Sequence, residues 1–394
     1  MKTPNNWITC KLQEVCSTTS GGTPSRRHPE YYKGSIPWIK SGELNDSIIL
    51  NSKEHISEDA IKNSNAKLFP VGSLLIALYG ATIGKMAFLG VPATTNQAIC
   101  CIFKNSGVNL NFLFYFLLLN RTNLINQGKG GAQKNISQNL LKDLIIPVPP
   151  MAEQKRIVKK IEELFGVIDE QVKRLEATHA ALVSYRQSVL HSLFSSAIGE
   201  KVPLEKCLNY LQPTPYIVKS TDYMEAGEVP VLTPGKTFIL GFTKEKEGIF
   251  TNPLPVIIFD DFTTSTKLVD FPFKVKSSAM KILLAKEGVD IRYIYYIMQI
   301  LSCPHDTHKR YWISIYAKMR IMLPSLPEQK AIVKKIENAF AFADKALAAI
   351  TGALEQAKQL KQSILKRAFE GKLVPQDPND KPVDLTQIKK DKHK

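Results

Sequence analysis

The chain has 394 residues, 44% of them hydrophobic, which is too long and too apolar for a disordered segment and sufficient for two or three folded domains. Its 52 Lys and Arg against 36 Asp and Glu leave a formal charge of +16, which favours a polyanionic partner, nucleic acid before a membrane. The longest apolar run, Phe112 to Leu119, is far short of a membrane span, and six cysteines at 10, 16, 100, 101, 207 and 303 show no CxxC or Cys/His spacing; the expectation is a cytoplasmic protein with reduced thiols and neither structural zinc nor disulfides.

Residues 1–150 read as a first globular domain. Short β-like runs such as Leu74–Leu78 and Ala98–Phe103 alternate with Gly, Pro, Ser and Thr clusters, and one apolar helix is predicted at Leu110–Asn120, an α+β pattern. Several loops carry side chains suited to phosphates and base edges: Thr23, Ser25, Arg26 and Arg27 in TPSRRHPEYY, Lys40 and Ser41, then Thr95, Asn96 and Gln97, then Lys129, Gln133 and Lys134 in GKGGAQKN. Tyr79 and Lys85 flank a further turn, GATI and glycine. Lys and Arg neutralise phosphates, backbone amides of glycine turns approach the sugar-phosphate chain, and Arg, Asn and Gln read guanine or adenine bidentately. GATIGK is one residue short of a phosphate-binding P-loop and lacks Ser or Thr after Lys85, so it reads as a β-turn.

Pro149 and Pro150 introduce a long helix over 151–199, with Glu153 in its first turn expected to cap the unpaired amides there. Ile161, Ile168, Leu175, Leu182 and Val189 recur every seven residues as a coiled-coil seam. Such a helix spans roughly 65–70 Å at about 1.5 Å per residue.

Residues 200–325 read as a second α+β domain, with strands expected at Val256–Phe259 and Met280–Leu284 and a helix at Ile291–Leu301. Its candidate contacts are Lys219, Lys236, Thr263, Thr264, Lys267, Lys276, Ser277, Ser278, Lys309 and Arg310. Asp260 and Asp261 look like a metal pair, but the aligned positions of the first domain are Leu78 and Tyr79, so no metal is assigned. A second long helix follows over 326–371, with Ile336, Ala343, Ile350, Ala357 and Ile364 on its seam and Phe340, Leu347, Leu354 and Leu360 beside them; residues 372–394 form a basic tail.

The two halves repeat one another. EQKRIVKKIEELF from Glu153 recurs as EQKAIVKKIENAF from Glu328, each residue meeting its counterpart 175 positions on. More weakly, SLLIALYGATIGK from Ser73 aligns with PVIIFDDFTTSTK from Pro255, matching Thr82 with Thr264 and Lys85 with Lys267, and Ile136-Ser137 meets Ile313-Ser314. A repeat this long is a duplicated domain with its connecting helix, a pseudo-two-fold pair on one chain. The bulky seam of the first helix complements the alanines of the second, which predicts an antiparallel intramolecular coiled coil; the alternative is that each helix packs on its own domain. No convincing catalytic set is present: there is no Asn-Pro-Pro-aromatic motif and no glycine-rich methyl-donor loop after a strand.

These residues leave a DNA-reading protein and a structural coiled-coil protein with basic lobes both open. The chain resembles the specificity subunit of type I restriction-modification systems. GGTPSRRHPEYYKGSIPWIKSGEL from Gly21, LLIALYGATIGK, ATTNQAI and PPMAEQKRIVKKIEELF are similar to that family's first target-recognition domain and following helix, while QPTPYIVKSTDY, VLTPGKTFILGFT, VIIFDDFTT and FKVKSSAMKI resemble another kind of recognition domain in the same family. The second helix departs from the family pattern in its alanine-rich middle.

The resemblance implies two target-recognition domains separated by the two helices, and a chain that is not itself an enzyme and binds no cofactor. Its implied partners are double-stranded DNA, two modification (methyltransferase) subunits holding S-adenosylmethionine, and restriction (motor-nuclease) subunits using ATP and Mg. The DNA site would be split and asymmetric, each domain reading roughly three to five base pairs in the major groove. The helices would set the unread gap, and a modification subunit would flip the target adenine. The alternative is a recognition subunit for a fused nuclease-methyltransferase of another restriction type.

Overall fold

Apolar runs without alternation, such as Leu74–Ala77 and the first four residues of Val256–Asp260, require strands covered on both faces. The computed structural model, which describes residues 4–104, 107–128, 134–233, 237–302 and 310–386, places each run at the centre of such a sheet. The chain divides into two units, residues 1–173 with 354–394, and residues 174–353.

In the first unit, β1 (Ile8–Lys11), β2 (Cys16–Ser20), β3 (Ile36–Ile39), β4 (Ser47–Ile49), β5 (His55–Ile56), β6 (Leu74–Ala77), β7 (Met86–Leu89), β8 (Thr94–Thr95), β9 (Ile99–Lys104) and β10 (Ile145–Val148) build three sheets. Their orders are β2-β9-β6-β7-β4, β5-β3-β8 and β1-β10. Because side chains alternate along a strand, Leu74, Ile76, Cys100 and Ile102 cluster with Phe112, Leu113, Phe116 and Leu117 of the helix Leu110–Gln127. Their neighbours Leu75, Ala77, Ile99 and Cys101 cluster with Ile39, Phe69 and Ala93 on the opposite face. Burial pushes the Cys100 and Cys101 thiols up to about 12, so these cysteines are core side chains rather than reactive groups.

The second unit repeats the plan. Its strands are β11 (Glu200–Pro203), β12 (Leu208–Leu211), β13 (Val229–Leu232), β14 (Ile239–Thr243), β15 (Val256–Asp260), β16 (Thr266–Val269), β17 (Lys274–Val275), β18 (Met280–Ala285) and β19 (Arg320–Leu323). The orders β12-β18-β15-β16, β14-β13-β17 and β11-β19 match those of the first unit with one edge strand fewer. Ile257, Phe259 and Leu283 face the helix Ile291–Met298, and Val256, Ile258 and Ile282 face the opposite cluster with Leu232 and Phe273.

Matched backbone hydrogen bonds correct the sequence register. Leu78 N donates to Ala98 O at 2.8 Å, and Asp261 N donates to Ala279 O at 3.1 Å, so Asp261 takes the place of Leu78 rather than Tyr79. A slip of one residue turns every side chain to the other face of a sheet. Lys85 O accepts from Ala77 N as Ser265 O accepts from Asp260 N, which shows a shorter turn in the second unit and removes the pairing of Thr82 with Thr264 and of Lys85 with Lys267. Nor do Ile136 and Ile313 share a position: the first is buried and the second exposed.

The long helices run Met151–Ser195 and Leu326–Phe369, the first ending short of the expected 199, and each is divided between the units. In the first unit Ile157, Ile161 and Ile168 share one core with Ile364, Leu365, Ala368 and Phe369, and Lys361 pairs with Asp169. In the second, Leu190 and Phe194 share a core with Val333 and Ile336, and Arg186 pairs with Asp344. The step from Asp169 up to Arg186 equals the step from Lys361 down to Asp344, so the pairing is antiparallel. Within each unit the helices therefore pack on each other and on the globular core at once. Ala343 and Ile350 are buried, while Leu175, Leu182, Val189 and Ala357 are half-buried and Leu360 is exposed rather than beside the seam.

The repeated EQK carries a repeated clamp. Gln154, fully buried, accepts from Asn109 N at 2.7 Å and donates to Gly107 O and Pro149 O, both at 2.9 Å. Gln329 accepts from Asp290 N at 2.8 Å and donates to Gly288 O at 3.2 Å and Pro324 O at 2.9 Å. Asn109 and Asp290 are the N-caps of the helices Leu110–Gln127 and Ile291–Met298, so in each unit one amide joins the start of a long helix to the start of the domain's own helix.

Glu328 caps its helix through Ser325 N and Oγ, at 3.1 and 2.7 Å. Glu153 does not cap; its Oε1 accepts from Trp7 Nε1 at 3.1 Å and Gln376 Nε2 at 2.6 Å. Gln376 belongs to the segment after the second helix, which returns to the first unit: Gly371 lies against Pro4, Arg156 pairs with Asp380 at 2.5 Å, and Leu373, Val374 and Val383 join the core. Burial pushes the Glu153 carboxyl above the ordinary carboxylate range, against the lowering effect of its Gln376 and Trp7 donors. A raised carboxyl makes the folded state bind the extra proton, so stability is lost as pH rises through the folded value. Glu153→Gln is expected to raise the melting temperature at pH 7–8, the gain shrinking as the buffer is made acidic; an equal gain at all pH values would mean that ionisation is not the cause.

Candidate nucleic-acid interface

Three loop positions gather the candidate residues in each unit. Gly22 N donates to Thr95 O at 2.9 Å and Val218 N donates to Val275 O at 2.9 Å, each at the end of the equivalent strand, so Thr23 and Lys219 follow at equivalent points. Asn96 N donates to Ile39 O at 3.0 Å and Lys276 N to Leu232 O at 2.9 Å, which places Asn96 and Lys276 likewise. The turns between β6 and β7 and between β15 and β16 form the third position. The backbone scaffold is shared and the side chains mounted on it differ.

In the first unit these loops are tied together. Thr23 Oγ1 bonds Gln97 Oε1, Thr82 Oγ1 donates to Ser41 O at 2.8 Å, and Arg26 and Lys40 both pair with Glu54. Gly22 is required there because a Cβ would lie 2.3 Å from the Asn65 carbonyl carbon. Lys85 pairs with Asp46 at 3.1 Å and Arg121 Nη1 donates to the same carboxylate at 3.0 Å. Burial pushes the Asp46 carboxyl up, but the bonds from Arg121, Met86 N and Lys85 outweigh it and hold the group below the ordinary range. GATIGK is a turn, with Gly80 and Gly84 at positive φ.

Other candidates are placed differently. Thr95 is fully buried, because its strand lies inside the fold, and it is withdrawn as a contact. Tyr79 is half-buried against the core; Ser25, Arg27 and Lys134 are exposed, Lys134 donating to Asn126 Oδ1 at 3.1 Å. In the second unit Thr263 Oγ1 donates to Asp260 Oδ2 at 2.6 Å, Thr264 adopts φ 59°, and Ser277 Oγ accepts from Ala279 N. Lys267 lies on the edge strand β16 with Nζ 5.9 Å from the Phe238 ring centre, and Lys276, Ser278 and Arg310 are exposed. Lys129, Gln133, Lys236 and Lys309 lie outside the described residues.

Asp260 and Asp261 have structural partners. Asp260 Oδ1 accepts from Phe262 N, while Asp261 Oδ1 accepts from Trp312 N at 2.9 Å and its Oδ2 lies 3.6 Å from buried Lys281. Among the described residues no group of three His, Cys, Asp or Glu is placed to hold a metal, and no helix is long and apolar enough to cross a membrane. Glu54, Asp46, Arg121, Tyr32 and Trp38, which hold or stack on the cations of these loops, were not singled out in the sequence; nothing in their spacing marks them, since they meet the loops only in the fold.

Residues 4–177 match the family model described as the type I restriction modification DNA specificity domain. Over 163 residues the chain is 43% identical to the Escherichia coli type I restriction enzyme EcoR124I/EcoR124II specificity subunit, an alignment covering 38% of this chain and 40% of that protein. With the Escherichia coli EcoBI specificity subunit the identity is 22%, across 94% of this chain and 87% of the relative. A solved structure described as the structural basis of complex assembly and conformational transition of the type I R-M system superposes with a TM-score of 0.77 at 20% identity, covering 95% of this chain and all of that one. The HsdS subunit from Thermoanaerobacter tengcongensis gives 0.54 at 20% identity, over 95% and 99% of the two chains. Residues 4–177 thus carry the matched DNA specificity domain, and with two units of one strand plan and the paired long helices the chain is similar, along nearly its whole length, to type I restriction-modification specificity subunits.

Proposed function

We propose that this chain is the DNA-reading subunit of a type I restriction-modification complex, reading a split and asymmetric site with one unit per half-site. The observation that carries this reading is the pair of loop sets on one backbone scaffold: Thr23, Asn96 and Gln97 stand in the first unit where Lys219 and Lys276 to Ser278 stand in the second. Equal scaffolds give the same mode of approach to a duplex, and unlike side chains give different sequences read. The charge of +16 supplies the phosphate attraction common to both.

In this reading the chain performs no chemistry. Two modification subunits supply S-adenosylmethionine and the methyltransferase site, restriction subunits supply ATP- and Mg-dependent translocation and cleavage, and the long helices are the surface on which the modification subunits assemble. Binding to duplex DNA is expected to weaken steeply with salt, and adenine methylation at a split motif is expected only when modification subunits are added. Single-molecule methylome sequencing checks both the motif and its two halves. Methyl transfer by the purified chain alone, or methylation with no split motif, would overturn the reading.

A further inference from the structure

Arg26 is set up differently from the cations around it. Its guanidinium carbon lies 3.9 Å above the Tyr32 ring centre and 5.4 Å from that of Trp38, and its Nη2 donates to Glu54 Oε2 at 2.6 Å. Both rings are themselves held, Tyr32 OH donating to Pro24 O at 2.6 Å and Trp38 Nε1 to Gly22 O at 3.0 Å. The other oxygen of Glu54 takes Lys40, and these two cations hold the Glu54 carboxyl below the ordinary range. Trp38 N donates to the Glu54 backbone carbonyl at 2.8 Å, so the residue that bears the carboxylate is tied to β3.

Exposed ion pairs contribute little to stability, and the Arg26 side chain remains 58% exposed; the arrangement acts on geometry more than on folding. One of five N–H groups is committed to Glu54, and the remaining fork is fixed in orientation. Glu54 offsets part of the charge of Arg26 and Lys40, so this fork attracts a phosphate less than an unpaired arginine does, whereas a base edge carries no net charge and loses nothing by it. Among bases, guanine presents two acceptors, O6 and N7, to a pair of donors, while adenine sets its amino group against one of them. Arg27, exposed and without a side-chain partner among the described residues, lacks all of these features and suits a phosphate.

We propose that Arg26 reads a guanine in the half-site of the first unit, with Glu54 as the positioning residue that orients its guanidinium; this rests on the DNA-reading function proposed above. The test uses the full chain with its modification subunits, methylating a library of half-site variants. Arg26→Ala and Arg26→Lys should both relax one position that is guanine in the unsubstituted motif, by roughly 5- to 150-fold in preference, and leave the other half-site unchanged. Glu54→Gln should relax the same position and strengthen binding to unrelated duplex with a steeper salt dependence, because Arg26 and Lys40 are released to phosphates. Uniformly weaker methylation with an unchanged motif in Arg26→Ala would make Arg26 a phosphate contact and sink the proposal, and a motif that stays sharp in Glu54→Gln would sink the positioning role. An unsubstituted complex that returns no split motif would instead remove the function on which both depend.

Discussion

Gln154→Leu is expected to destabilise the first unit by about 2–5 kcal/mol, and Gln329→Leu the second by a similar amount. Each glutamine side chain is buried, and leucine of nearly the same volume fills the space without making a cavity. What is lost is the partner of one backbone N–H and two backbone carbonyls, at Asn109, Gly107 and Pro149 in the first unit and at Asp290, Gly288 and Pro324 in the second. A buried group left unpaired costs about 1–3 kcal/mol, and these sites lie where a long helix and a domain helix both begin. Urea unfolding followed by hydrogen exchange separates the units: protection should fall in the helix Leu110–Gln127 for one variant and in Ile291–Met298 for the other. Midpoints unchanged within error in both variants would show that the clamp is not what joins the helix starts.

Asp261→Ala is expected to cost about 3–5 kcal/mol, the range for removing one member of a buried ion pair. Lys281 is 1% exposed and Asp261 2%; without the carboxylate the ammonium keeps Gln212 Oε1, at 3.0 Å, and the face of the Tyr210 ring, 5.7 Å from its centre, but no opposite charge there, and Trp312 N loses its acceptor. The pair itself need not stabilise the fold, because two desolvated charges offset much of their attraction. Asp261→Ala combined with Lys281→Met should therefore recover most of the loss. Thermal unfolding of the two single variants and the double variant gives the coupling. A double variant as unstable as the sum of the singles would mean that packing around Trp312, not charge, sets the effect.

Much of this architecture was legible because it is written in periodicity. Ile161, Ile168, Ile336 and Ile350 announce the paired helices through a seven-residue repeat, and the unbroken run at Leu74–Ala77 announces a strand buried on both sides. The EQK repeat located both helix starts, but not its meaning: the glutamine, rather than the glutamate, is the shared structural element. Register was misread by one residue at Asp261 because the turns after β6 and β15 differ in length, and an alignment of letters cannot see which carbonyl a given amide meets. Site residues were the least legible. Thr95 has the chemistry of a contact and the burial of a core residue, while Glu54 and Asp46, two acidic residues in a basic protein, organise the cations around them.

The core of the first unit needs Ile364, Leu365, Ala368 and Phe369, and the segment through Val383 also joins it. The residues that open the chain thus wait for those that close it. During synthesis, about 200 residues separate the first part of this unit from the last, roughly 10–40 s at about 5–20 residues per second. Phe112, Phe116, Ile157 and Ile161 stay without their final cover for that time, so the domain made first is the one finished last.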